Sequence, residues 1–142
     1  MTVDPRDLIT ATLDATQRMD LDALALVVHE DCDTVVPMAA SGRREDASVY
    51  RGREETLLHM RQVFDMMSFI SFTDRRVTES ADGGTVFVEC NGEFVLRSGL
   101  KYNNVYVFRF DVRGGRIVFW AEYFNPVTMA AAVGLPIGLP VG

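Results

Sequence analysis

Residues 102–124 read Y-N-N-V-Y-V-F-R-F-D-V-R-G-G-R-I-V-F-W-A-E-Y-F. Large and small or polar side chains alternate on both sides of R-G-G-R at 113–116. That is the pattern of two strands joined by a tight glycine turn. On the first strand Tyr102, Asn104, Tyr106, Phe108, Phe110 and Val112 share one face. On the second, Val118, Trp120, Glu122 and Phe124 share one. Both faces are mostly aromatic, yet each carries polar groups that a dry core strand rarely holds. A pocket wall often has this mixture.

Two more strand-like runs precede this hairpin, at 69–79 and 85–97. Their joints, A-D-G-G at 81–84 and S-G-L-K at 98–101, are also turn chemistry. Four sequential strands with such short joints pair antiparallel. Upstream the period changes to that of helices. Asp4-Pro5 is an N-cap followed by proline at the first helical position, with Leu8, Ile9 and Leu13 behind it. Asp20 caps a second short helix carrying Leu21, Leu24, Ala25 and Val28, and His29 closes it, where a positive charge suits the dipole. Residues 32–37, C-D-T-V-V-P, read as a short strand, and 38–51 read as a loop. Gly52 opens a third helix whose apolar stripe is Leu57, Met60, Phe64 and Met67. Asn125-Pro126 starts a last short helix running through Ala132.

This order predicts one α+β domain over 1–133: a cone-shaped, curved antiparallel sheet packed against three N-terminal helices, with an internal pocket. Residues 134–142, G-L-P-I-G-L-P-V-G, form an apolar Gly/Pro tail unable to continue a helix.

The totals fit that reading. The chain has 142 residues, 48% hydrophobic and 24% charged, so one well-filled core is expected. A net charge of −6 with no basic run argues against nucleic acid and against an anionic membrane as partners. No apolar stretch is long enough to span a bilayer and the N-terminus lacks a secretory pattern, so a cytoplasmic protein is expected. Cys32 and Cys90 have no Cys or His cluster around them, which reads as two buried thiols, and neither a metal nor an organic cofactor is implied.

Glu122 is the residue that calls for a reason. Among Trp120, Phe124 and the tyrosines its charged form would be poorly solvated, and a carboxyl in that setting can act as general acid or base. The competing reading turns it outward or pairs it with Arg97 or Arg109. His59, on the third helix with Val63 one turn on, is either a boundary residue or a proton shuttle. Tyr102, Asn104 and Tyr106 either donate hydrogen bonds to a ligand oxygen or simply pack across strands.

The pieces G-R-E-E-T-L-L-H (52–59), F-V-E-C-N-G (87–92), Y-N-N (102–104), E-Y-F-N-P (122–126) and G-L-P-I-G-L-P (134–140) resemble the nuclear transport factor 2-like superfamily. Within it they look like the SnoaL-like group, and more narrowly the phenazine-biosynthesis A/B proteins. The resemblance implies a homodimeric cone with a deep pocket. It places Glu122, His59 and Tyr102 at the family's pocket glutamate, helix histidine and tyrosine. The sequence departs from the phenazine pattern at Gln62 and Val63, where that family has an acid and a serine, and it lacks that family's arginine near the first strand. A ketosteroid isomerase base near Val36 is absent. The epoxide hydrolase Arg/Asp pair would fall near Gly92 and Phe94.

Two functions follow as expectations. One is cofactor-independent acid/base catalysis on a small hydrophobic or aromatic carbonyl compound of secondary metabolism: isomerisation, dehydration, cyclisation or imine condensation. Glu122 and His59 would be catalytic, and Tyr102, Asn104, Tyr106, Trp120, Val63 and Phe108 would bind the ligand. The other is a non-catalytic ligand-binding or dimeric interaction protein of the same fold.

Overall fold

A computed structural model of the chain describes residues 3–138. Its elements run α1 (Pro5–Gln17), α2 (Leu21–Val27), β1 (Val28–Val36), a 3-10 turn (Arg44–Asp46), β2 (Ser48–Tyr50), α3 (Gly52–Met66), β3 (Met67–Glu79), β4 (Thr85–Leu96), β5 (Lys101–Arg113), β6 (Arg116–Phe124) and α4 (Pro126–Val133). The caps expected from sequence are in place. Asp4 accepts from the Arg6 amide, Asp20 from the Ala23 amide, and Asn125 from those of Val127 and Thr128.

The four long strands form the expected antiparallel meander, in an open six-stranded sheet ordered β2-β1-β6-β5-β4-β3. One pairing departs from the expected antiparallel sheet: β1 runs parallel to β6. β1 begins at Val28, earlier than residue 32, and takes up His29, which was expected to end α2. The His29 Nδ1 accepts the Asp31 amide at 3.0 Å within the strand. Part of the expected loop is ordered as β2, antiparallel to β1.

Alternation along β4 and β5 is clean, with every second residue from Val86 to Leu96 and from Tyr102 to Phe110 buried. Two bulges bend the sheet. In β3 the register slips between Thr73 and Arg76, where Asp74 adopts φ 52° and accepts a hydrogen bond from the Asn91 amide group at 3.0 Å. In β6 it slips between Phe119 and Ile117. The extra residue of a bulge switches the face of those beyond it. Ile117, not the expected Val118, therefore joins Trp120 and Phe110 in the core, all three at most 1% exposed.

The helices pack on the concave side, α1 over β3, α3 over β1 and α4 against β5. α3 is pinned by a buried polar link: the Thr34 and Thr56 hydroxyls lie 2.9 Å apart, and the Thr56 hydroxyl donates to the Cys32 carbonyl at 3.0 Å. Satisfied bonds of this kind each stabilise by about 1 kcal/mol and fix the helix azimuth. α3 ends at Met66, so Met67 of the expected stripe is the first residue of β3. Leu57 is only half-buried, and the core side of the helix is Thr56, Met60 and Phe64.

Of the apolar tail, residues up to 138 are described and 139–142 lie outside the described residues. Gly134 ends α4 in the left-handed conformation at φ 75°, the Leu135 amide bonds the Ala130 carbonyl, and the Gly138 amide bonds the Ala40 carbonyl at 2.8 Å. The tail therefore lies back across the loop after β1.

Candidate active site

Four helices do not fill the concave face of this sheet. A cavity of about 320 Å³ remains, lined by residues of all six strands, of α1, α3 and α4, and by Leu135 of the tail. That volume suits a ligand of one or two rings, at the small end of the usual range of about 300–1,000 Å³.

The β5–β6 wall supplies the chemistry. Glu122 lies directly across from Phe108, between Trp120 and Phe124 on its own strand, and all four line the cavity. Glu122 is half-buried. The arginines that sequence allowed as its partners are occupied elsewhere. Arg109 holds Asp111 at 2.8 Å and lies over the Phe119 ring, while the Arg97 guanidinium donates to the carbonyls of Asp65 and Phe64. Among the described residues no salt bridge reaches Glu122, and no Lys or Arg lines the cavity.

Beside it stand Tyr102 and Tyr106, whose hydroxyls are 3.2 Å apart. Burial pushes the ionisation of both upward. For Tyr106 its tyrosine neighbour and then the charge of Glu122 add to the effect. Both hydroxyls therefore stay protonated near neutral pH and act as hydrogen-bond donors. Asn104 has a different place. It is buried but is not among the cavity-lining residues. Its amide group donates to the Tyr102 hydroxyl at 2.7 Å and to the Asn125 carbonyl at 3.0 Å. Its carbonyl oxygen accepts the amides of Val105 and Asn125. With all four bonds made, Asn104 orients Tyr102 and ties β5 to the start of α4. A ligand has no free valence to use there.

From the helical side, α3 brings His59 and Val63 to the cavity. The His59 ring stacks on Tyr50 of β2, with centroids 4.0 Å apart and planes 15° apart. The His59 Nε2 and the Trp120 Nε1 are buried and have no hydrogen-bond partner among the described residues. Partnerless buried polar atoms cost roughly 1–3 kcal/mol each, and both residues line this cavity, one from α3 and one from β6.

Glu122, His59, Tyr102, Tyr106, Trp120, Val63 and Phe108 thus surround one cavity, and Asn104 stands behind it. Sequence reasoning did not single out Tyr50 as a cavity residue, nor the methionines Met60, Met66, Met67 and Met129, two of which it read as part of the apolar stripe of the third helix. Tyr50 sits on a three-residue strand too short to show a period. The methionines look like ordinary helix and strand apolar residues until the packing is known. Among the described residues no cluster of three or more His, Cys, Asp or Glu side chains is placed to hold a metal, and no helix is long and apolar enough to cross a membrane.

The sequence signature of the SnoaL-like domain matches residues 9–120. The chain belongs to the SnoaL-like family. The uncharacterized protein YesE of Bacillus subtilis is 41% identical over 66 residues, which is 45% of this chain and 44% of that protein. The uncharacterized PhzA/B-like protein PA3332 of Pseudomonas aeruginosa is 31% identical over 86 residues, 60% of each. The matched stretch therefore spans between about two-fifths and three-fifths of these relatives. Two solved structures share the fold. A nuclear transport factor 2-like protein of unknown function from Burkholderia pseudomallei superposes with a TM-score of 0.77 at 16% identity, covering 93% of this chain and 98% of its own. A phenazine biosynthesis-related protein from Pseudomonas aeruginosa superposes with a TM-score of 0.73 at 19% identity, covering 98% and 90%. At these identities the SnoaL-like chain shares their fold. The cavity and its groups have to be judged on this chain's own residues.

Proposed function

We propose that this SnoaL-like protein is an acid/base catalyst for a small cyclic carbonyl compound, working by proton transfer without a metal or organic cofactor. The observation that carries the reading is Glu122: a carboxylate with no cationic partner, set in an aromatic cavity wall beside two protonated tyrosines. A base of this kind removes a proton from the carbon next to the carbonyl. The negative charge that develops on the carbonyl oxygen needs a hydrogen-bond donor held in advance. The two tyrosine hydroxyls bond each other and stay protonated near neutral pH, so one of their two protons remains free to serve. Asn104 keeps Tyr102 oriented, and His59, whose partnerless Nε2 belongs to a residue of the same cavity, would carry the proton onward. Isomerisation, dehydration of a β-hydroxy carbonyl and aldol-type cyclisation contain such a step, and imine condensation would use the same groups to move protons between the amine nitrogen and the carbonyl oxygen.

The experiment needs no known substrate. Small cyclic ketones are incubated with the protein in D2O, and deuterium incorporation next to the carbonyl is followed by proton NMR. Wild type should accelerate exchange, and Glu122→Gln should reduce the acceleration by about 10²-fold or more. Equal rates for the two proteins, with the ketone still bound, would leave a non-catalytic binding protein as the function.

The same proposal includes self-association. The outer face of β5 and β6 exposes Val105, Val107 and Tyr123 next to Met38 and Pro126, which together line an apolar depression. A second copy is the occupant proposed. Light scattering behind a sizing column should give twice the chain mass, and Val105→Glu should halve it.

A further inference from the structure

The cavity has a charge preference that its shape alone does not reveal. Its wall includes the aromatic residues Tyr50, Tyr102, Tyr106, Phe108 and Trp120, and one carboxylate, Glu122. Among the described residues no Lys or Arg reaches it, and the whole chain carries a net charge of −6. A ligand carboxylate entering such a space would lose its hydration, find no Lys or Arg to pair with and meet a like charge, leaving the His59 imidazole as the one basic side chain on the lining. A protonated amine would gain twice. It would pair with the one uncompensated carboxylate and lie against ring faces whose quadrupoles attract cations.

Resting on the reading of this cavity as the ligand site, we propose that its natural ligand is a lipophilic ring compound bearing a basic nitrogen and no carboxylate, with the nitrogen's proton directed at Glu122. Glu122 is then both the counter-ion that selects the ligand and the base that acts on it. The rings give the ligand its apolar bed, and the methionines Met60, Met67 and Met129 let that bed adapt to ring shape.

Three naphthalenes of nearly equal size separate charge from shape: naphthalen-2-ylmethanamine, naphthalen-2-ylmethanol and naphthalene-2-carboxylate. Each is titrated calorimetrically into the full chain at pH 8, above the range in which imidazoles usually titrate, with 2-tetralone as a fourth, uncharged ketone. The amine should bind about tenfold more tightly than the alcohol, and the carboxylate at least tenfold more weakly than the alcohol. Glu122→Gln should bring amine and alcohol within about threefold of each other, its retained alcohol affinity showing that the cavity is intact. Equal affinities for amine and alcohol in the wild type, or a carboxylate that binds as well as the alcohol, overturn the proposal. If 2-tetralone binds while the charge ranking is flat, the ligand class falls and the catalytic reading stands. If none of the four binds, both fall.

Discussion

The inner face of the β5–β6 hairpin has two ends built from the same alternation, and they do different work. Near the glycine turn, Phe110 and Trp120 pair across the strands with ring centroids 5.0 Å apart, and with Ile117 they are at most 1% exposed. At the open end, Tyr106 pairs with Phe124 and Phe108 with Glu122, and the face passes into the cavity wall. One end is almost wholly buried, with Trp120 at its border with the cavity. The other keeps a space and equips it with a carboxylate, two hydroxyls and a tied amide. The alternation of β5 runs through both ends, while β6 keeps it at the open end and slips by one residue near the turn. What differs is whether a helix side chain arrives to fill the volume opposite.

Substitutions can break that contrast. The largest stability effect is expected at the filled end. Phe110→Ala should cost about 3–5 kcal/mol in urea unfolding, the range for deleting a buried aromatic ring, whereas Phe124→Ala, half-buried at the cavity, should cost less than half as much. Equal losses would mean that the cavity end is packed as tightly as the core. Next comes Gly92→Ala. A Cβ there would stand 2.5 Å from the Tyr106 ring and 2.8 Å from the Phe94 ring, so Tyr106 must move. Overpacking of this kind costs about 1–3 kcal/mol, but the sharper readout is a fall in deuterium exchange larger than the stability loss explains. An unchanged exchange rate would remove Tyr106 from the mechanism.

The smallest expected effect is on the alkaline side. Burial pushes the Cys32 thiol up to about 12 and the Cys90 thiol up to about 11, from an ordinary value of 9.0. A thiol whose ionisation is raised in the folded state binds its proton there while the unfolded chain has already lost it. Its stabilisation is complete below pH 9 and is lost as pH rises through 11 and 12. The raised tyrosines act in the same direction above pH 10. The urea midpoint should fall with pH from about 9 upward, and a Cys32→Ser, Cys90→Ala chain should show a shallower slope between pH 9 and 10. A slope unchanged by the double substitution would assign the whole effect to the tyrosines.

Much of this was readable without coordinates. The four long strands, their turns and three helix caps appear in the sequence because each depends on neighbours a few residues apart. The alternation of β5 correctly put Tyr102, Asn104, Tyr106, Phe108 and Phe110 on one face. In β6 the same counting misplaced Val118, because a bulge inserts one residue and bulges leave no strong mark on composition. His29 misled for a similar reason. Its position at the end of a helical pattern hid the fact that strand pairing with β6 begins there, nearly ninety residues away in the chain.

The site divides along the same line. Sequence by itself determined which side chains of the hairpin share a face, where the helices start, and that a glutamate stands among aromatic rings. Those are local matters of period and capping, decided by chain geometry over a few residues. Tertiary structure decided that Arg97 and Arg109 are held away from Glu122, that Asn104 spends its bonds on Tyr102, Val105 and Asn125, and that His59 stacks on Tyr50. It also decided that volume was left open at one end of the hairpin and not at the other. Each of these depends on which distant elements pack together and on how two bulges curve the sheet, and no local rule of spacing carries that information.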